Sequence, residues 1–124
     1  NKYWVPPIIK DEIDNFDPKK NPVFENAHAQ FFIAFREGKV VGRVAAIINW
    51  FEVEKQQIKK MRFGWFDVID DIEVSKVLLN KVKEIGLENN LDYVEGPVGF
   101  NNLDKTGVLV DGFDHIGTMI TWYN

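Results

Sequence analysis

Cysteine is absent from this chain of 124 residues. Without cysteine the protein has no disulfide bond, no thiolate nucleophile and no cysteine ligand for a metal ion. Such a composition fits a reducing compartment, in which thiols and not disulfides persist. We therefore expect a cytoplasmic protein.

Long apolar runs are also lacking, because no stretch approaches the roughly 20 residues of a membrane-spanning helix. The chain does not open on the basic and then apolar leader that is typical of a secreted protein. We expect no membrane partner, in agreement with a cytoplasmic location.

Positive charge is scarce: 15 Lys and Arg residues stand against 19 Asp and Glu residues, and the formal net charge is -4. Binding of nucleic acid requires a basic stripe that neutralises phosphates. The densest basic pieces, residues 19–20 and 55–62, are short and interrupted, and they predict a solvated edge. We expect no nucleic-acid partner.

Apolar residues, in contrast, make up 45% of the sequence and include ten Phe and four Trp. This content is typical of a folded protein, and 124 residues can bury a real core in one domain. The chain starts at Asn1 and ends at Asn124, directly after an aromatic, strand-like segment. We expect it to be a fragment of a longer protein.

The N-terminal part predicts an extended arm over residues 1–28, followed by a partial domain over residues 29–124. Pro6 and Pro7 restrict the backbone and remove two N–H donors, which excludes a helix at the start. A short helical turn is predicted over residues 11–15.

Three strands are predicted next. From Ala29 the apolar period is two, with Phe31, Ile33 and Phe35 on one side, and a tight turn follows at residues 37–38. Residues 39–50 return as a second strand, apolar on both faces, and residues 61–69 form a third. Residues 52–60 are polar and predict a frayed strand end and a loop, with a short helix as the alternative. The short connections favour an antiparallel meander.

An amphipathic helix follows, with Asp70 or Asp71 as the N-cap and a capping box from Asp70 to Glu73. Residues 91–95 predict a further strand, and a strand, a crossover helix and a strand in one sheet are almost always parallel. Pro97 has no N–H and ends the pairing, so we expect the two parallel strands to diverge there and open a cleft. The predicted fold class is α/β with a mixed sheet.

Four segments carry a resemblance to a known superfamily. They read NPVFENAHAQFFIAF (residues 21–35), EGKVVGRVAAIIN (37–49), FGWFDVIDDIEV (63–74), and GPVGFNN with GVLVDGF (96–102 and 107–113). Together they are similar to a bacterial family of GNAT-like proteins, which are usually longer than this chain. The GNAT superfamily comprises N-acyltransferases that use acyl-CoA.

The resemblance implies a cosubstrate, acetyl-CoA or another acyl-CoA, and positions that hold it. The central strand of a GNAT fold offers backbone groups to the pantetheine arm, and the turn after it presents N–H groups to the pyrophosphate. The positions so implied are Phe66, Asp67, Val68, Ile69, Asp71 and Ile72. The backbone N–H of Val68 is the implied donor to the oxyanion.

The turn after the central strand departs from the superfamily pattern. A GNAT loop is rich in glycine, which lets the backbone approach two phosphates at a positive helix N-terminus. Here the turn has no glycine and carries three carboxylates, on Asp70, Asp71 and Glu73. Helix capping explains these acids more simply, which argues against the usual binding of pyrophosphate.

Two carboxylates border the expected cleft and are candidate catalytic bases, Asp67 on the central strand and Glu95 on the parallel strand. A solvated or ion-paired position in a strand explains each carboxylate more simply. His28 and His115 have no partner at a metal-ligand spacing, and we expect no metal site.

Three functional hypotheses follow. The first is an N-acyltransferase that acts on a small-molecule or peptide amine. The second is a GNAT-fold binding or interaction module that has lost acyl-CoA binding and catalysis. The third is one half of a tandem GNAT-like protein related to transferases that use aminoacyl-tRNA. A sheet edge left exposed at the end of a fragment would also favour a homodimer.

Overall fold

The computed structural model describes Tyr3 and residues 6–116. Contacts between residues divide the chain into two units. One unit comprises Asn26–Gly107, and the other is drawn from the chain on either side of it.

The N-terminal part of the described chain holds helix α1 (Ile9–Asn15) and a 3-10 turn (Pro22–Glu25). The Asp14 carboxylate forms ion pairs with the ammonium groups of Lys10 and Lys20, each at 2.5 Å. The helical turn predicted over residues 11–15 is confirmed and begins two residues earlier. The arm predicted as extended is therefore helical over these two segments.

The first two strands, β1 (Ala27–Arg36) and β2 (Lys39–Asn49), form an antiparallel hairpin. Glu37 and Gly38 make the turn with φ angles of 49° and 76°. Both angles lie in the left-handed region that a two-residue hairpin turn requires. The predicted hairpin is confirmed, although the register shifts by a bulge between Ala34 and Phe35.

A single π-helical turn (Phe51–Lys55) follows β2, in place of the predicted frayed strand end. The Asn49 side chain accepts hydrogen bonds from the N–H groups of Phe51 at 3.0 Å and Glu52 at 3.4 Å. This local cap starts the helical turn. The short helix that was the alternative prediction is formed over Phe51–Lys55, and the predicted loop is confirmed over residues 56–59.

Strand β3 (Lys60–Val68) pairs antiparallel with β2, and β4 (Tyr93–Glu95) pairs parallel with β3. Helix α2 (Ile72–Glu88) lies between them in sequence. The four strands form one sheet in the order β1-β2-β3-β4. The predicted fold class is confirmed: a mixed sheet in which an antiparallel meander is followed by a crossover helix and a parallel strand.

The N-cap of α2 is Asp71, whose side chain accepts from the N–H groups of Glu73 and Val74. The capping box predicted from Asp70 to Glu73 is wrong. With Asp71 as the N-cap, Glu73 is the second helical residue and lies one position too early to reach back. Its carboxylate pairs instead with Lys76 at 2.8 Å.

The core of this unit lies between α2 and one face of the sheet. The buried apolar residues there are Val44, Ala46, Ile48, Met61, Val74, Leu78, Val82, Ile85 and Leu91. Burial of each large side chain among them contributes about 1.5–3 kcal/mol. The core holds the helix across β2 and β3, and it thereby sets where the N-terminus of α2 lies.

The chain after β4 stays next to β3 over residues 98–100. The N–H of Val98 donates to the carbonyl of Phe63 at 2.8 Å, and the rings of Trp65 and Phe100 lie 5.4 Å apart. A Cβ at Gly64 would overlap the Val98 carbonyl, so glycine permits this close approach. The predicted divergence of the strands directly after Pro97 is wrong, because residues 98–100 continue along β3.

Candidate functional site

Strand β4 covers only the first part of the β3 edge that faces away from β2. Strand β4 pairs only with Lys60, Met61 and Arg62, whereas β3 continues to Val68. The last six residues of β3, 63–68, therefore extend beyond the parallel strand. Residues 98–100 lie alongside residues 63–65 of β3, whereas residues 66–68 of β3 extend beyond them.

A bulge in β3 decides which backbone groups point to this edge. The register with β2 shifts between Arg43 and Ala45, and Trp65 has a φ angle of 47°. A bulge inserts one residue, which reverses the alternation of N–H directions along the strand. Beyond Trp65 the N–H of Ile69 donates to the Val41 carbonyl at 3.0 Å.

Because N–H groups alternate along an antiparallel strand, Val68 directs its N–H away from β2. This N–H points to the edge that β4 does not cover. A backbone N–H in this direction is the kind of donor that can stabilise an oxyanion. The oxyanion role implied for Val68 stays a prediction, and its N–H lies at the edge of β3 that β4 does not cover.

The N-terminus of α2 is already occupied by a side chain. Asp71 Oδ1 accepts from the N–H of Glu73 at 2.9 Å and of Val74 at 3.4 Å. Asp71 Oδ2 accepts from Arg36 Nη1, at the end of β1, at 2.7 Å. The two helical N–H groups and one guanidinium that would attract a phosphate all bind this carboxylate.

These contacts hold Asp71 ionised. The hydrogen bond from Arg36 lowers the pKa of the Asp71 carboxyl below its ordinary value, and the N–H groups of Glu73 and Val74 lower it further. At neutral pH a phosphate at this helix N-terminus would meet a fixed negative charge, which costs affinity.

Asp67 lies on the face of the sheet opposite α2, next to its cross-strand partner Arg43. Arg43 Nη2 and Asp67 Oδ2 are 3.9 Å apart, and both side chains are more than half exposed. They line a shallow concavity of about 230 Å³ together with Val40, Val41, Gly42, Val68 and Ile69. A carboxylate in this position can receive an ammonium group from solvent.

Glu95 lies in a cluster of four charges. Its Oε2 is 2.9 Å from Lys60 Nζ and 3.8 Å from Arg62 Nε. Glu52 from the π-helical turn completes the cluster, at 2.6 Å from Arg62 and 3.6 Å from Lys60. The hydrogen bond from Lys60 lowers the pKa of the Glu95 carboxyl. A carboxylate with a lowered pKa is a weak general base at neutral pH.

Arg62 corrects one prediction directly. Residues 55–62 were expected to form a solvated edge, but Arg62 is only 2% exposed. Its guanidinium pairs with Glu52, and its Nε is the buried side-chain atom without a hydrogen-bond partner among the described residues. One basic residue of this segment, Arg62, thus lies in a buried ion pair and not at a solvated edge.

The two candidate bases are not brought together. Glu95 is opposite Arg62 on β3, and Asp67 follows five residues later. Five strand residues span about 16 Å. The cleft expected between these carboxylates is replaced by two separate sites, one at Asp67 and one at Glu95, where a concavity of about 300 Å³ also includes Asn102 and Thr106.

The other positions expected to contact the cosubstrate, Phe66, Ile69 and Ile72, differ in which of their groups a ligand could reach. The Phe66 side chain packs against the core under α2, and its ring meets that of Phe63 edge to face at 5.8 Å. Phe66 therefore offers only backbone to a ligand. Ile69 and Ile72 are exposed on either side of the Asp71 turn.

Sequence reasoning missed two basic residues that shape these sites, Arg36 and Arg62. Arg36 ends a strand whose alternation was recognised, but its partner Asp71 lies 35 residues later. The charge pattern gave no signal for this long-range pair. Within the described part of the chain, no group of three or more His, Cys, Asp and Glu residues is arranged to hold a metal ion.

None of the helices in residues 6–116 is long and apolar enough to cross a membrane.

Comparisons with known proteins give two relatives. The chain is 30% identical over 112 residues to a protein of Caulobacter vibrioides named bacterial ceramide synthase, a match that covers 90% of the chain and 29% of the relative. It is 28% identical over 111 residues to protein YghO of Escherichia coli, which covers 90% of the chain and 28% of the relative. The chain thus spans less than a third of the length of these relatives. No protein-family model matches the chain, and no solved structure matches it significantly.

Proposed function

We propose that this chain belongs to a GNAT-like N-acyltransferase that moves an acyl group from acetyl-CoA or another acyl-CoA to an amine. The observation that carries the proposal is the second half of β3. It extends past β4, and a bulge at Trp65 turns the Val68 N–H to the open edge.

The pantetheine arm of the acyl-CoA would run along this edge. The backbone of Phe66 and Val68 faces it, and the thioester carbonyl would accept a hydrogen bond from Val68. An N–H donor is most effective where negative charge develops in the transition state. Val68 therefore supports the chemical step and not only the binding of the cosubstrate.

The reaction itself needs no covalent enzyme intermediate. The amine nitrogen attacks the thioester carbonyl, the C–N bond forms, the C–S bond breaks, and CoA leaves as a thiolate. The proton lost by the nitrogen passes to a base and returns to the thiolate. Asp67 is exposed beside Val68 and serves as the base or the ammonium anchor, whereas the lowered pKa of Glu95 argues against that role.

The name of the first relative supports this reaction class. A ceramide contains an amide bond between a fatty acyl group and an amine, so a ceramide synthase forms a bond of the proposed kind. The similarity covers 29% of that relative. The same chemistry for this chain, with a long-chain amine as one class of acceptor, is part of the proposal.

A second candidate function is a binding or interaction module with the same fold and no acyl-CoA site. The Asp71 carboxylate favours this second function. It pairs with Arg36 and also accepts from the helical N–H groups that would hold the pyrophosphate. If acyl-CoA binds, its phosphates must therefore either displace Asp71 or lie elsewhere.

Calorimetric titration with acetyl-CoA and with CoA separates the two functions. The acyltransferase predicts heat of binding for both ligands at or below millimolar concentration, and a tighter complex for the thioester because Val68 contacts its carbonyl. A matched titration with Val68→Pro, which lacks the N–H, should lose the difference between the ligands. Absence of heat at millimolar acetyl-CoA would exclude the enzyme and favour the binding module.

A further inference from the structure

One dipeptide of the sequence joins a carboxyl side chain to a following glycine. Asp111–Gly112 is the single Asp-Gly pair in the 124 residues, and the sequence has no Asn-Gly pair. The carboxyl group of an Asp is close enough to the next backbone nitrogen to close a five-membered ring with it. A side chain on the second residue obstructs this ring closure, and glycine has none. The pair is therefore the place in this chain where such a ring meets the least obstruction.

The structure holds the two reacting groups of this pair against each other. The N–H of Gly112 donates to Asp111 Oδ1 at 2.8 Å. Since Oδ1 is bonded to the carboxyl carbon Cγ, this contact brings Cγ next to the nitrogen that would attack it. An intramolecular reaction gains greatly in rate when the reacting atoms are held at about 3–3.5 Å. The Asp111 side chain is thus turned toward the one backbone nitrogen with which it can form a ring.

The surroundings of the pair leave room for the ring. Asp111 is exposed and lies outside the helices and strands. A Cβ built on Gly112 would have His115 Cδ2 as its nearest atom among the described residues, at 3.7 Å. The φ angle of Gly112 is 77°, in the left-handed region that glycine adopts most readily. The turn therefore requires the same glycine that leaves the nitrogen accessible.

Neighbouring Asp residues direct their carboxylates elsewhere. Asp104 Oδ2 accepts from the backbone N–H of Asn101 at 3.1 Å and from its side-chain amide at 3.3 Å. Asp114 Oδ1 lies 3.6 Å from Nε2 of the His115 side chain. Both residues are followed by a residue with a long side chain. In this part of the chain, both the sequence and the contacts single out Asp111.

We propose that Asp111 is a site of spontaneous modification, at which the chain forms a succinimide and then an isoaspartate. The Gly112 nitrogen attacks Cγ of the protonated carboxyl, the N–Cγ bond forms, the Cγ–OH bond breaks, and the hydroxyl leaves with the N–H proton as water. Water then adds to the main-chain carbonyl carbon of Asp111 and breaks its bond to the Gly112 nitrogen. The main chain now runs through Cγ, and the former main-chain carbon carries the free carboxylate.

The product keeps the mass and the charge of the original chain but changes its backbone. An additional methylene enters the main chain directly before Gly112, whose carbonyl accepts from the His115 N–H at 3.0 Å. The modification thus alters the chain at the start of this turn. The free main-chain carboxylate is the group that isoaspartyl carboxyl methyltransferases methylate, so the modified chain is a substrate for an enzyme of this class.

Incubation of the folded chain for several weeks at neutral pH tests the proposal. An isoaspartyl methyltransferase with a labelled methyl donor then marks the product, and peptide mapping locates it. Label should accumulate in the peptide that holds residues 111–112, together with a minor species lighter by one water. Absence of label from this peptide, or an equal amount in the peptide that holds Asp104, would overturn the proposal.

A matched pair of variants tests the chemistry. Asp111→Glu keeps the charge but would need a six-membered ring, so the label should be lost. Asp114→Glu makes the same change three residues later and leaves Asp111–Gly112 intact. This control should accumulate label as the unmodified chain does. Undiminished label in Asp111→Glu, or an equal loss in both variants, would contradict the assigned site.

A synthetic peptide of residues 108–116 tests the contribution of the fold. The folded chain should accumulate label at least as fast as this peptide, because the 2.8 Å contact already holds the nitrogen at the carboxyl group. A slower reaction in the folded chain would show that the fold protects Asp111 and would overturn the proposal.

Discussion

Arg36 and Asp71 are 35 residues apart in sequence, yet Arg36 Nη1 donates to Asp71 Oδ2 at 2.7 Å. The pair joins the end of the first strand to the N-terminus of the helix. Asp71 at the same time accepts from two helical N–H groups. One carboxylate thus fills the place where the resemblance to the GNAT superfamily would lead us to expect a phosphate.

Neutralising Asp71 should make this helix N-terminus more favourable for anions. Asp71→Asn keeps a side chain that caps a helix but removes the negative charge. We expect CoA to bind about fivefold more tightly, as one charge near a helix N-terminus is typically worth that much. Calorimetry measures the change.

Asp70→Asn is the matched control, because it removes an equal charge from the exposed neighbouring residue and leaves the cap and Arg36 untouched. It should change CoA affinity much less. Equal effects of the two substitutions would mean that the net charge of the turn, and not the charge of Asp71 at the helix N-terminus, limits binding of CoA.

Removing Glu52 should destabilise the fold. The Arg62 guanidinium is buried and would lose its 2.6 Å partner in Glu52→Ala. Breaking a buried ion pair from one side costs on the order of 3 kcal/mol. Glu54→Ala changes an exposed residue in the same π-helical turn and should cost less than about 0.5 kcal/mol. Urea denaturation compares the two variants.

The double variant Glu52→Met with Arg62→Met separates charge from packing. Replacing both members of a buried pair by apolar residues is often close to neutral. A double variant as unstable as Glu52→Ala would show that the lost contacts of the π-helical turn, and not the unpaired guanidinium, cause the destabilisation.

Acid should weaken the cluster at Glu95. Its pKa in the folded protein is lowered from the ordinary 4.5, so the folded state binds its proton less readily than the unfolded state does. The stabilisation is complete above pH 4.5 and is lost as the pH falls through the lowered pKa. Thermal unfolding at decreasing pH should show a smaller decline in the melting temperature for Glu95→Gln. An identical decline would exclude this carboxyl as a contributor.

Leu78 should be essential to the packing of α2. It is 3% exposed and contacts the core, whereas Leu87 on the same helix is 65% exposed. Leu78→Ala is expected to cost about 2–5 kcal/mol in free energy of unfolding. Leu87→Ala should cost less than about 0.5 kcal/mol. Similar losses in urea denaturation would place the helix differently on the sheet.

The architecture was largely predictable from local patterns. The period of two in β1, the positive-φ turn at Gly38 and the N-cap choice that included Asp71 are all short-range signals, and the structure confirms them. The parallel pairing of β4 followed from the handedness of crossover connections.

The site was less predictable, because long-range contacts shape it. Gly64, an isolated glycine directly before the bulge at Trp65, is a local signal that the strand prediction did not use. The approach of Val98 to Gly64, in contrast, depends on chain 34 residues away. The burial of Arg62 requires Glu52 from a turn without a clear period. Such features arise from packing between elements, which periodicity does not encode.

The most direct test of the central claim is the amide NMR spectrum of the chain during titration with acetyl-CoA. If the acyl-CoA lies along the open edge of β3, the Val68 N–H resonance should shift strongly with acetyl-CoA and less with CoA, while those of Tyr93–Glu95 should change little. An unchanged Val68 resonance at saturating acetyl-CoA would contradict the account.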